Sequence, residues 1–357
     1  MDGIAHAAAQ ASGADWYGPD MAARSDWVEH LSGAELDELG NVAARLCDSG
    51  ADLTALRVAD VPLPVLAPRL HRVLDAVLDG RGFALLRGVP VREWGRHRAA
   101  AAFMVLGAHL GTARPQNAQG HLLGHVRDMG LSSADPNVRI YQTHERQTFH
   151  TDSCDIVALL CLQTARSGGR SALVSSTTLF KEMHRRRPDL AAVLFAPIAT
   201  DRRGEVGPGQ AAFFTIPVLT WWPPGPQGRL SAIYQRQYID SAQRHPEAPR
   251  LSAVQREALD LFDALSNDPS LHFLMDLEPG DIQLVHNHTL LHDRTAFEDW
   301  DEPAQRRHLL RLWLAPATAR ALAPEFAQRY GSTLAGARGG VNLPTARLHV
   351  PLEGLEP

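Results

Sequence analysis

The stretch RRHLLRLWLA, residues 306–315, restricts the fold of this 357-residue chain more than any other. In a β-strand, alternate side chains share a face. Arg307, Leu309, Arg311 and Trp313 then lie on one side, and His308, Leu310, Leu312 and Leu314 on the other. Both faces carry large apolar groups, so the strand is central and covered on both sides. An arginine inside such a barrel leaves roughly several kcal/mol of desolvation to be offset unless it meets an anion. Its planar fork suits a carboxylate held through two hydrogen bonds. An acidic ligand or an internal salt bridge would each satisfy it.

The remaining elements build around that strand. SGAELDELGNVAARL carries a capping box, Ser32 with Glu35, ahead of leucines at helical spacing. VLDAVLDGRGFALLRGVPV reads as a helix ending near Gly80 and a strand closed by Pro90, and EWGRHRAAAAFMVLGAHLG as a second helix with a glycine stop. From about residue 139 the pattern turns to strands: RIYQTH, TFHTDS, IVALLCLQTA and, after a turn at SGGR, SALVSS. A helix over TTLFKEMHRRR, a strand-rich insertion at 200–240 containing LTWWPPGPQGRL, and an amphipathic helix over SAVQREALDLFDALSND follow. HFLMDLEPGDIQLVHN returns to strands.

Neither a regular βαβ rhythm nor a glycine-rich phosphate loop is present, which argues against a doubly wound sheet. A mixed α+β chain with a double-stranded β-helix (jelly roll) core and flanking helices fits better. The expected division is a helical extension over 1–60, the jelly-roll domain over 61–330 and a tail over 331–357. The small, Ala-rich residues 1–15 read as a frayed or disordered leader.

The net charge of −5 offers no basic excess for phosphate backbones or anionic membranes, so neither nucleic acid nor membrane is an expected partner. The compact basic run HRRRP at 184–188 reads as a helix end, favoured by the helix dipole. Cys47, Cys154 and Cys161 are scattered and odd in number, and imply no disulfide framework. The N-terminus lacks a cationic signal region, and no apolar run reaches membrane-spanning length. A cytoplasmic location is expected.

Two places carry the chemistry. In QTFHTDSCD, a strand would project His150 and Asp152 together, as two ligands of one metal or as half of a buried polar pair. Two H-x-[DE] triplets occur in the chain, about the number expected by chance, so the triplet alone decides little. PGDIQLVHNHTLLHDRTAFEDW supplies His286, His288 and His292, of which one suffices. Two imidazoles and one carboxylate on one face of an octahedron form the arrangement of non-haem iron oxygenases, with positions left for substrate and oxygen.

RGFALLRGVPV, FHTD, SGGRSALVSS, PGDIQLVHNHTLLHDRTAFED and RRHLLRLWLA, in this order from about Gly80 to Pro316, resemble the TauD/TfdA family of iron(II)- and 2-oxoglutarate-dependent dioxygenases. The resemblance implies a jelly roll of the clavaminate synthase-like, TauD-like kind, with His150, Asp152 and His292 as iron ligands. His292 is chosen over its neighbours because LLHDR matches the family's distal-histidine segment. It also implies that Arg307 grips the distal carboxylate of 2-oxoglutarate and that Ser171, after Gly168–Gly169, supports it. Arg311 matches a second arginine that serves either co-substrate or substrate. Related halogenases carry a small residue where Asp152 stands, so hydroxylation is favoured over halogenation.

The implied reaction consumes O2 and 2-oxoglutarate, releases succinate and CO2, and hydroxylates an unactivated C–H of a small organic molecule. Gln116, Asn117, Arg146, Trp221 and Trp222 are the candidates for substrate contact; a homo-oligomer is left open. Two rivals remain: a cupin-like protein holding zinc or manganese for non-oxidative work, and a non-catalytic jelly roll with a vestigial site. Against the first stands the Arg307/Ser171 pair, which would have no acid to hold, and against the second the intact ligand set. Cys154 reads as a small buried hydrophobe.

Overall fold

The structure, a computed structural model, describes residues 2–133 and 138–352. Two sheets face one another. The wide one runs Val28–His30, Phe83–Arg87, Ile282–His286, Ile156–Gln163, His308–Ala315 and Thr112–Arg114, with Leu123–Val126 also paired to His308–Ala315. The narrow one runs His272–Met275, Ser171–Ser175, Leu290–Arg294 and Gln147–His150, all antiparallel. Together they form the expected double-stranded β-helix.

The two-sided strand behaves as its pattern requires. Leu310, Leu312 and Leu314 face outward with Ala158, Leu160 and Leu284, under the small-residue face of helix Val91–Leu110. There Gly107 lies so near that an added Cβ would stand 2.7 Å from Leu312 Cδ1. Trp313 faces inward, joining Phe83, Val157 and Val285 against Leu173, Phe273 and Leu290 of the narrow sheet. Each of these large side chains contributes about 1.5–3 kcal/mol by leaving water, so core packing alone pins the strand's register.

Three expectations need correction. Residues 2–9 are a helix, not a disordered leader: Ala7 is buried, and Lys181 donates to the Gln10 carbonyl at 2.7 Å just beyond it. RIYQTH forms a 3-10 turn over Ile140–Gln142 rather than a strand. The strand of TFHTDS ends at His150, so Asp152 is placed by a loop and not by strand alternation. The 200–240 insertion folds as two hairpins, Pro197–Asp201 with Phe213–Pro217 and Leu219–Trp222 with Arg229–Ala232.

Candidate metal centre and substrate cavity

His150 ends one narrow-sheet strand, and His292 lies directly opposite it on the next. Asp152 reaches the pair from the loop, where its backbone N–H donates to Asn287 Oδ1 at 2.9 Å. One ligand atom from each residue lies within 4.8 Å of the others. Thr148 carbonyl accepts from His150 Nδ1 at 2.8 Å, which fixes the tautomer and leaves the Nε2 lone pair facing Asp152. The Gln147 amide donates to that lone pair at 2.8 Å and would have to turn aside for a metal.

Charge states suit a cation. Burial pushes the His150 imidazole below its usual value and, with His150 as neighbour, takes His292 down to about 3, so both are neutral donors at pH 7. Burial pushes Asp152 upward, but Arg311, with the Trp313 hydrogen bond, outweighs it and holds the carboxylate ionised. Trp313 Nε1 donates to Asp152 Oδ2 at 2.9 Å and Arg311 Nη1 approaches at 3.4 Å, fixing the carboxylate's orientation.

Further along the inward face of the same strand, Arg307 is buried, and among the described residues its Nη1 has no hydrogen-bond partner. Arg294 lies close by. The two guanidiniums stack on the Phe297 ring at 5.0 and 4.8 Å, and Arg294 likewise has orphaned Nε and Nη1 atoms. Burial depresses Arg307 to about 10; burial and its neighbour Arg307 depress Arg294 to about 9. Asp299 acts on both guanidiniums and accepts the Arg307 backbone N–H at 2.7 Å, but among the described residues no carboxylate forms an ion pair with either side chain, so an entering anion would offset their burial. A dicarboxylic keto acid therefore fits the donors present. Gly169 is needed here, since a Cβ would stand 3.0 Å from Arg307 Nε. Ser171 is buried and exchanges hydrogen bonds with the Gln283 side chain.

In front of His150 and Asp152 opens a cavity of about 730 Å³, walled by residues 116–129, 138–142, the 203–205 loop, Tyr234–Tyr238 and Arg329. Gln116 and Asn117 line it. Gln116 bonds both the Arg311 side chain and its carbonyl, whereas Asn117 Oδ1 is occupied by the N–H groups of Gln119 and His121. Three candidates lie away from it. Arg146 is half-exposed and tied to Asp293 and Asn267. Trp221 donates to the Gly225 carbonyl and stacks on His6, sealing its hairpin. Trp222 packs behind the wall, against Phe326 and the cavity-lining Phe214.

Sequence reasoning overlooked Arg294, Gln283, Asn287 and the cavity residues Arg139, Arg203, Glu205, Tyr238 and Arg329. Arg294 stands in the quoted LLHDR, where an arginine at the end of a buried strand was the available signal. The last five come from four separate segments, and no spacing connects them.

The profile of the "Taurine catabolism dioxygenase TauD, TfdA family" matches residues 49–313. The chain is 32% identical over 305 residues to FR-33289 synthase of Streptomyces rubellomurinus, covering 84% of this chain and 88% of that one. A uridine-5'-phosphate dioxygenase of Amycolatopsis sp is 29% identical over 184 residues, 50% of this chain and 64% of that one. Asparagine oxygenase, solved with Fe(II), 3-hydroxyasparagine and succinate, superposes with a TM-score of 0.60 at 18% identity, over 81% of this chain and 93% of its own.

Proposed function

This chain belongs to the TauD/TfdA family and is an iron(II)- and 2-oxoglutarate-dependent dioxygenase; we propose that His150, Asp152 and His292 hold the iron and that Arg307 anchors the 2-oxoglutarate. The observation that carries the assignment is a buried His/Asp/His set on the same barrel interior as a buried guanidinium whose Nη1 has no hydrogen-bond partner among the described residues. Bound iron with 2-oxoglutarate supplies an oxidant derived from O2 that takes hydrogen from a C–H bond and leaves succinate and CO2.

The chain's own residues do the rest. Thr148 and Asn287 orient two of the ligands, and Trp313 with Arg311 aims the Asp152 carboxylate. Arg307, with Arg294 beside it, receives the distal carboxylate of the keto acid. Ser171 supports that end through Gln283, whose amide it shares. The cavity walls exclude bulk water and set the substrate's position. No proton-transfer dyad is required.

The substrate is a small organic molecule hydroxylated on an unactivated carbon. The names of the proteins compared above span two chemistries, an amino acid and a phosphorylated nucleoside. The test of the assignment is anaerobic addition of iron(II) and 2-oxoglutarate to metal-free protein. A visible charge-transfer band is expected, and Arg307→Ala should need about 30- to 1000-fold more 2-oxoglutarate to produce it, as for loss of one partner of a buried charge pair. Metal binding without the band would return the site to a non-oxidative zinc or manganese protein.

A further inference from the structure

Gln147 lines the cavity and holds the lone pair that a metal would need, and an irregularity in strand pairing puts it there. His150 pairs with His292 and Gln147 with Arg294, so Thr148 and Phe149 on one strand stand against Asp293 alone on the other. Residues three apart on an even strand face opposite ways. The extra residue of this β-bulge turns Gln147 and His150 to the same side. Phe149 is buried away from the site among Val174, Phe180 and Leu291. The Thr148 carbonyl, inside the bulge, is the group that accepts from His150 Nδ1 at 2.8 Å.

The bond between the two inward side chains can run only one way. With Nδ1–H committed to Thr148, His150 Nε2 is an acceptor, and of the two ends of an amide only the NH2 donates. The Gln147 amide nitrogen therefore caps Nε2 at 2.8 Å. A neutral imidazole offers one lone pair there, so cap and metal exclude one another. Once displaced, the amide stays by the site, because its backbone is paired opposite Arg294. Gln147 thus touches the His/Asp/His set on one side and stands in register with a guanidinium of the keto acid site on the other.

Resting on the metal and 2-oxoglutarate reading above, we infer that Gln147 exchanges partners when the site is loaded: it caps His150 in the metal-free protein and, with iron in place, donates to the carboxylate that 2-oxoglutarate carries beside its keto group. That carboxylate is the better acceptor, since an ionised partner makes a hydrogen bond roughly twice as strong. Gln147 therefore opposes the metal and favours the co-substrate. One side chain has two effects of opposite sign.

The experiment compares Gln147→Leu with the unmodified protein in two anaerobic titrations. Cobalt(II) is added to metal-free protein and read by visible absorption; 2-oxoglutarate is added to the iron(II) form and read by the charge-transfer band. Loss of the cap should tighten cobalt(II) binding by about 2- to 10-fold. Loss of the donor should raise the 2-oxoglutarate requirement by about tenfold or more and shift the band. Gln147→Glu, which sets a carboxylate against a carboxylate, should weaken 2-oxoglutarate further. Unchanged or weaker cobalt(II) binding in the leucine variant, or 2-oxoglutarate titrations that neither variant alters, overturns the inference; a purely structural role would weaken both ligands together. Absence of the band in unmodified protein is a failure of the oxygenase reading instead.

Discussion

Two histidine–aspartate–arginine clusters lie three residues apart in the chain, and they have opposite characters. Around Asp155 the carboxylate is fully paired. Arg338 Nε and Nη2 donate to its carboxylate at 2.7–3.1 Å, His288 Nε2 approaches Oδ1 at 2.9 Å, and all three side chains are inaccessible to solvent. Around Asp152 the groups gather but do not close: the nearest His150 and His292 nitrogens stand 3.8 and 3.9 Å from the carboxylate, and the cavity opens in front. The same residue types fasten the 315–341 segment to the barrel in one place and prepare a cation site in the other. What separates them is whether the partners are already satisfied.

The largest test of that contrast removes one member from each cluster. Arg338→Met leaves the Asp155 charge buried with its main partner gone and should cost about 3–5 kcal/mol, read as the urea midpoint of the metal-free protein. Asp152→Ala takes an acceptor from Trp313 and Arg311, the latter still held by Gln116, and should cost less, about 1–3 kcal/mol, yet lose about a hundredfold or more in iron affinity, with succinate formation at background. If the two variants exchange these phenotypes, the clusters have been assigned the wrong way round.

Asn287 links the clusters, since its Oδ1 accepts from Asp152 N–H and its own N–H donates to the Asp155 carbonyl. Asn287→Ala strands a buried donor at a cost of about 1–3 kcal/mol. Loosening of Asp152 should weaken cobalt(II) binding by about tenfold or more, read by its visible absorption. Unchanged metal affinity would show that the loop needs no such pin.

The smallest effect comes from a histidine outside both clusters. His308 is buried, bonded to His125 at 2.9 Å, and depressed to about 3 by burial, with His125 as the next cause. Its unfolded value is about 6.5. The unfolded chain therefore binds the extra proton between these values, and stability is lost as pH falls from about 6.5 toward 3. His308→Gln should flatten that fall by roughly 1.4 kcal/mol per pH unit, measured as urea midpoints from pH 7 to 5. An unaltered slope would place the acid sensitivity in His286 and His288, both also depressed by burial.

Much of the barrel was legible because strand alternation and helix capping are local. The two-sided pattern of residues 307–314 placed Trp313 inside and Leu312 outside, and the Ser32/Glu35 box began a helix where it should. The clustered residues His150, Asp152 and His292 were legible through an ordered set of motifs, although the geometric reason first read from them, strand alternation between His150 and Asp152, does not hold: a loop and Asn287 bring them together. Arg146, Trp221 and Trp222 stand outside the cavity lining, because a polar or aromatic residue near a site in sequence has no fixed direction until the fold is complete.

By itself the sequence determined the layers of the barrel, the identity of the donor residues and the presence of a buried arginine needing an anion, because each follows from period, side-chain chemistry and motif order along one stretch of chain. Only the tertiary structure decided how Asp152 is brought to the two imidazoles, by a loop pinned on Asn287, and which arginines stand around Glu205. Those choices depend on pairing between strands and on four segments distant in sequence, where burial and hydrogen-bond satisfaction act on the assembled molecule and leave no local pattern.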